Sequence, residues 1–189
     1  MNDVLQTGSV IETGPESTVD LFINNSVIRI TPDTVFGLNK ALATDTGSET
    51  VTDTELYLKS GRILGNVKKL AAASKYQIKT PNGVTGIRGT EFDIEYLSGP
   101  NGNKLTVRSV NGTLLGSGAN SQGQIQTAVI NTGQSWSPDE GVRPTPPNVT
   151  LPIPPFDVEG GFTPPIPVPG PVIYVEPNLG SGQSPFSPN

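Results

Sequence analysis

Turn signals recur about every 8 to 12 residues between Gly8 and Gly133, and no window between them carries a 3.6-residue apolar repeat. That spacing leaves no room for a helix of ordinary length. It restricts the chain to an all-β body, either a short-strand β-sandwich or a β-solenoid-like stack. Val19, Leu21 and Ile23 alternate as one strand, Asn24-Asn25 reads as a hairpin turn, and Ile28 and Ile30 resume on the return. Thr31-Pro32-Asp33 turns the chain again before Thr34, Phe36 and Leu38. Residues 43–53 are small and polar and read as an exposed loop. Leu56 and Leu58 form a strand, Ser60-Gly61 a turn, and Ile63 and Val67 the next strand. The LAAAS run at 70–74 favours helix, but it is too short to hold one alone. Further on, 98–104 reads as a hairpin loop, Asn111-Gly112 as a turn and 116–124 as a flexible loop. Ile125, Thr127 and Val129 alternate as the last strand before Trp136.

Residues 78–94, IKTPNGVTGIRGTEFDI, hold the densest local information. Ile78 and Thr80 alternate into Pro81, which lacks a ladder donor and ends a strand. Asn82-Gly83 suits a two-residue turn because both residues tolerate positive φ. Gly86 and Gly89 bracket Ile87 and Arg88 at a corner, and Thr90, Phe92 and Ile94 alternate beyond it. Pro81, Gly83, Gly86, Arg88, Gly89 and Thr90 form the predicted structural corner. Arg88 is expected to bond backbone carbonyls and a carboxylate such as Glu91 or Asp93, with a ligand contact as the rival role.

TPNGVTGIRGTEFDI resembles the signature of FecR-domain proteins, roughly I-x-TP-x-G-x-x-x-x-RGT-x-F/Y. Residues 11–34 resemble the opening block of that family and 56–76 its middle block, so the resemblance spans roughly residues 4–137. It implies an extracytoplasmic all-β domain without known catalysis, and it names no ligand. The family pattern has an earlier strand ahead of GSVIETG. Only seven residues precede Gly8 here, so that strand is expected to be short or missing.

The residue inventory argues against catalysis. Histidine and cysteine are both absent, which removes the commonest general base, the commonest metal ligand and all thiolate chemistry. No D-x-D-x-D-G calcium loop occurs, and neither a cofactor nor a metal is expected. No apolar run approaches the roughly 18 residues of a membrane span, and residues 2–10 show no signal peptide. Asp53 with Glu55, and Glu91 with Asp93 and Glu95, have strand spacing and are expected on exposed faces. Seven basic residues lie between Glu55 and Glu91, with little aromatic interleaving in an acidic protein, so no nucleic-acid role is expected.

Composition changes after Ser137, dividing a body (1–137) from a Pro-rich extended C-terminal tail (138–189). The body holds eleven basic and twelve acidic residues, a balance of −1. The tail holds one basic and five acidic residues, a balance of −4, and fifteen of its 52 residues are proline. Large apolar residues thread the tail, as in Leu151, Ile153, Phe156, Phe162 and Ile166, which a solvated linker seldom carries. The tail is therefore expected to dock. Val172, Ile173, Tyr174 and Val175 are its candidate strand, added to a sheet edge of a neighbouring copy. Asp157, Glu159 and Glu176 are expected to lie near Lys68, Lys69, Lys75 and Lys79.

Three functions compete. The first is an extracytoplasmic structural protein that self-associates, even into a filament, with copies of itself and other envelope proteins as partners. The second is a periplasmic FecR-type sensor domain of a sigma-factor regulator, ranked lower because such regulators carry a membrane helix ahead of the domain. An enzyme ranks last. No insertion into the membrane is expected.

Overall fold

A computed structural model of the chain describes residues 3–24, 26–99, 102–147 and 149, with the backbone alone for Asp3–Val4, Val172–Tyr174 and Asn178–Leu179. The described residues are all-β, as expected, and contain no helix. The opening strands are β1 (Asp3–Val4), β2 (Val10–Glu12), β3 (Val19–Ile23), β4 (Ser26–Ile30) and β5 (Val35–Asp45). Next come β6 (Thr50–Val67), β7 (Lys75–Thr80), β8 (Gly83–Ile87), β9 (Thr90–Gly99) and β10 (Gly102–Asn111). β11 (Thr113–Ala119), β12 (Ile125–Asn131), β13 (Gln134–Ser137) and β14 (Gly141–Pro144) complete the body. β15 (Val172–Tyr174) and β16 (Asn178–Leu179) come from the tail.

The strands form two sheets that share β6. Sheet A runs β1-β15-β3-β4-β6-β9-β10-β13-β14, using the second half of β6. Sheet B runs β5-β6-β7-β8-β11-β12, using the first half of β6, with β2 and β16 on the far side of β5. Leu21, Ile28, Phe36, Leu56, Leu58, Ile63, Ile78, Phe92, Ile94, Val107 and Trp136 meet between the sheets in one core.

β6 departs from the short-strand expectation. Its 18 residues run straight through Ser60-Gly61, where the sequence reads as a turn. The reason is local. Gly61 has φ 97°, and a Cβ there would lie 2.6 Å from Thr34 Cα. Thr34 pins this bulge by accepting the Arg62 N–H at 3.1 Å. The extra residue switches the buried set from Leu56 and Leu58 to Ile63 and Val67, so one strand serves both sheets.

Other boundaries shift too. The 43–53 loop shrinks to a few residues, because Thr52 and Thr54 are buried, inward-facing members of β6. β11 extends to Ala119, and β13 pairs with β14, so sheet A continues beyond Ser137. The hairpin at Asn24 falls as read, and Asn111-Gly112 turns the chain from β10 in sheet A to β11 in sheet B, with Asn24 at φ 50° and Gly112 at φ 94°. Residues 70–74 form no helix.

Candidate interaction surfaces

The signature stretch folds as the β7–β8 hairpin and the corner leading to β9. The hairpin is centred on Pro81-Asn82, since Thr80 pairs with Gly83. Asn82 therefore needs no positive φ, and Gly83 opens β8, where a Cβ would lie 2.7 Å from the Ser117 carbonyl oxygen. Gly89 does have positive φ, 83°, and its α-carbon faces Lys69, whose Cα would sit 2.8 Å from an added Cβ. Buried Thr90 closes the corner by donating its hydroxyl to the Thr113 carbonyl at 3.1 Å.

Two members of the corner depart from expectation. Gly86 lies within β8 with ordinary φ, and a Cβ there would meet nothing nearer than 3.8 Å. Arg88 is exposed and makes no ion pair or side-chain hydrogen bond among the described residues. Of the carboxylates expected to hold it, Glu91 and Asp93, the second is occupied by other arginines.

Both findings place these residues on the outer face of sheet B. Strand register lines up Gln77, Gly86, Leu115 and Val129 as one cross-strand row, and Tyr57, Lys79, Val84, Ser117 and Thr127 as the next. Gly86 contributes no side chain, so the first row dips there into an open groove of about 290 Å³ that Arg88 and Lys75 also line. A second open groove, about 390 Å³, lies over Tyr57, Val84 and Ile125. Leu115 and Val129 face each other across β11 and β12 and are 53% and 55% exposed, and Ile125 is 68% exposed. The alternation of Ile125, Thr127 and Val129 therefore points outward, and buried Ile130 is the core residue of β12. β12 ends the sheet order, so its outer ladder groups have no strand partner among the described residues. Lys79 pairs with Glu55 at 2.7 Å, and that hydrogen bond holds the Glu55 carboxyl below its ordinary range.

The outer face of sheet A carries a different chemistry. Asp93 sits on it with Glu91 and Glu95, as their spacing requires, but Asp93 is 0% exposed instead of solvated. Arg62 Nε donates to Asp93 Oδ1 at 2.8 Å, and Arg108 Nη1 donates to the same oxygen at 3.2 Å. Arg108 also reaches Glu95 at 3.0 Å. Two strands away, Arg29 grips Asp20 through two hydrogen bonds of 2.7 Å. The hydrogen bonds that Arg62 and Arg29 donate to Asp93 and Asp20 raise the pKa of each arginine against the opposing effect of burial. The sequence reading misses this network, although the register of β9 with β10 pairs Asp93 with Arg108.

The tail strand Val172–Tyr174 pairs in parallel within its own chain, between β1 and β3. Val175, Asp157, Glu159 and Glu176 lie outside the described residues. Among the described residues no group of three side chains could hold a metal.

Fold and surfaces together define an all-β domain of two sheets built on a shared strand, with an apolar outer face on one sheet and an arginine–carboxylate network on the other. A profile of the FecR protein family matches residues 9–115. The chain belongs to that family. No curated protein sequence matches it. Two crystal structures of a candidate anti-sigma factor from Parabacteroides distasonis share the fold, with TM-scores of 0.54 and 0.53 at 10% and 11% identity. Each alignment covers 72% of this chain, and this chain spans 59% of the length of those proteins.

Proposed function

We propose that this chain is the non-catalytic, extracytoplasmic domain of a FecR-type regulator and receives a protein partner on the outer face of sheet B. The observation that carries the reading is the half-exposed Leu115–Val129 pair beside the Gly86 dip, on a sheet whose last strand has no outer partner among the described residues. Apolar side chains beside free ladder groups suit an extended segment added as a further strand. Arg88 and Lys75, which have no ion-pair partner among the described residues, favour an acidic residue in that segment. Family membership and the likeness to a candidate anti-sigma factor support a regulator over an enzyme.

The test is genetic and uses the intact gene in its own cell. Val129→Lys and Gly86→Val are expected to leave the protein folded and abundant while altering transcription of the genes its cognate sigma factor controls. Unchanged transcription with both variants would sink the reading.

The same edge supports a second reading, self-association. β12 contains no charge and no proline, the usual guards of an edge strand, so two copies could pair β12 to β12. Sedimentation velocity separates the two readings. A concentration-dependent dimer that Val129→Lys abolishes favours self-association, and a monomer at all concentrations favours the regulator.

A further inference from the structure

The second groove of sheet B differs from the first in its chemistry. Its row of register partners, Tyr57, Lys79, Val84, Ser117 and Thr127, crosses five strands, a span of about 19 Å at ordinary strand spacing. Among the residues that line it, Lys79 alone is charged, and Glu55 neutralises it at 2.7 Å. The partly exposed Tyr57 ring, Val84 and Ile125 supply apolar surface. Between them stand neutral polar groups with bonding capacity to spare. Tyr57 and Gln77 make no side-chain hydrogen bond among the described residues. The Asn82 amide makes two, to the Ala119 carbonyl and from the Thr80 hydroxyl, both 3.4 Å long and therefore weak. The Ser117 hydroxyl accepts from Thr127 at 3.3 Å and keeps its own proton to donate.

We propose that this groove binds a neutral oligosaccharide, laid across the strands with its rings against Tyr57 and Ile125. Three rival ligands fit it less well. An anion finds no free counter-charge here, whereas Arg88 and Lys75 line the neighbouring groove. A wholly apolar ligand would cover the Tyr57, Gln77 and Asn82 polar groups and leave them without partners, which is costly. A peptide crossing the face meets the same difficulty from its own side. The ladder groups of a sheet lie in its plane and are used by neighbouring strands, so the peptide main chain would have only side chains to bond. A sugar ring avoids all three penalties. Its C–H faces pack on aromatic and aliphatic surface, and the hydroxyls at its rim both donate and accept, as amides and hydroxyls require. The groove's volume, about 390 Å³, falls within the range of ordinary small-ligand sites, about 300–1,000 Å³. The site does not depend on a protein partner docking at β12, and the two lie side by side on one face.

The test is direct binding to the isotopically labelled full-length chain, followed by amide NMR shifts. Cellotetraose, maltotetraose and mannotetraose serve as probes at millimolar concentration. Saturable shifts at the amides of Lys79, Val84 and Ser117 are expected with at least one of them, at an affinity that salt does not change. Tyr57→Ala is expected to weaken that binding roughly tenfold or more, and Tyr57→Phe, which keeps the ring, to weaken it less. Ile125→Ser removes an apolar wall at a position 68% exposed, so it leaves the core intact and should also weaken binding. Should Tyr57→Ala fail to fold, Ile125→Ser decides alone. Gly86→Val and Val129→Lys should leave sugar binding unchanged, which separates this site from the surface proposed for a protein partner. The proposal is overturned if no probe shifts these amides, or if binding survives both Tyr57→Ala and Ile125→Ser. It is equally overturned if the anionic tetragalacturonate binds more tightly than every neutral probe and Arg88→Ala abolishes that binding, which would place the ligand in the cationic groove.

Discussion

Gly86 and Gly89 stand three residues apart in one signature, and the structure predicts opposite responses to the same substitution. Gly89→Ala forces a Cβ onto a residue at φ 83° and drives it to 2.8 Å from Lys69 Cα and 3.1 Å from Lys69 N. Left-handed backbone costs a non-glycine residue about 1–2 kcal/mol. The collision is with main chain, which cannot rotate away, and overpacking of this kind adds about 1–3 kcal/mol. The sum is a loss of about 2–5 kcal/mol. For a domain of this size each kcal/mol moves the melting temperature by about 2–4 °C, so the melt should fall by at least about 4 °C. Gly86→Ala meets only Leu115, at 3.8 Å and beyond, on an extended strand where alanine restricts the unfolded chain more than glycine does. It should be neutral or stabilising by up to about 1 kcal/mol. Calorimetry or urea titration of the two variants side by side measures both. Equal losses would refute the division, and with it the reading of Gly86 as the floor of a groove.

Three further outcomes follow from the interior. Asp93→Ala leaves Arg62 and Arg108 facing each other without their shared carboxylate and should cost about 3 kcal/mol, with Asp93→Asn costing less, as read from urea midpoints. Gly65→Ala puts a Cβ into the Phe92 ring, and the double variant with Phe92→Leu should be more stable than the sum of the two single changes predicts, a coupling that a double-mutant cycle measures. Tyr76 is buried, with its hydroxyl 2.9 Å from Ser26 Oγ, and burial pushes its pKa up. Above about pH 10 the unfolded chain releases that proton while the folded chain keeps it, so stability should fall as pH rises, and Tyr76→Phe should flatten part of that fall.

Much of this architecture is legible in the chain because its turns are chemically explicit. Asn24, Thr31-Pro32-Asp33 and Asn111-Gly112 mark turns that the structure keeps, and Asn24, Asp33 and Gly112 have positive φ there. Gly61 carries the same mark and makes a bulge, because a lone positive φ fits either geometry and only the distant Thr34 decides between them. Thr52 and Thr54 hide a strand inside a polar run: both are buried, a fact that composition does not convey. Alternation at Ile125, Thr127 and Val129 reveals the strand but not its sidedness, because a period of two looks the same from either face. Asp93 and Arg108 could be paired from hairpin register alone, but register does not reveal that both are buried.

β6 has a consequence for how the molecule comes apart. Its first half is hydrogen-bonded on both sides within one sheet, by β5 and β7, and its second half on both sides within the other, by β4 and β9. Neither sheet can shed its central strand without pulling the other's centre open, so the two have no separate melting transitions. A force applied along β6 is shared by four ladders at once, and slippage by one residue would turn Leu56 and Ile63 out of the core together. The domain behaves as one cooperative unit held on a single spindle, and Gly61 is the joint at which that spindle turns from one sheet to the other.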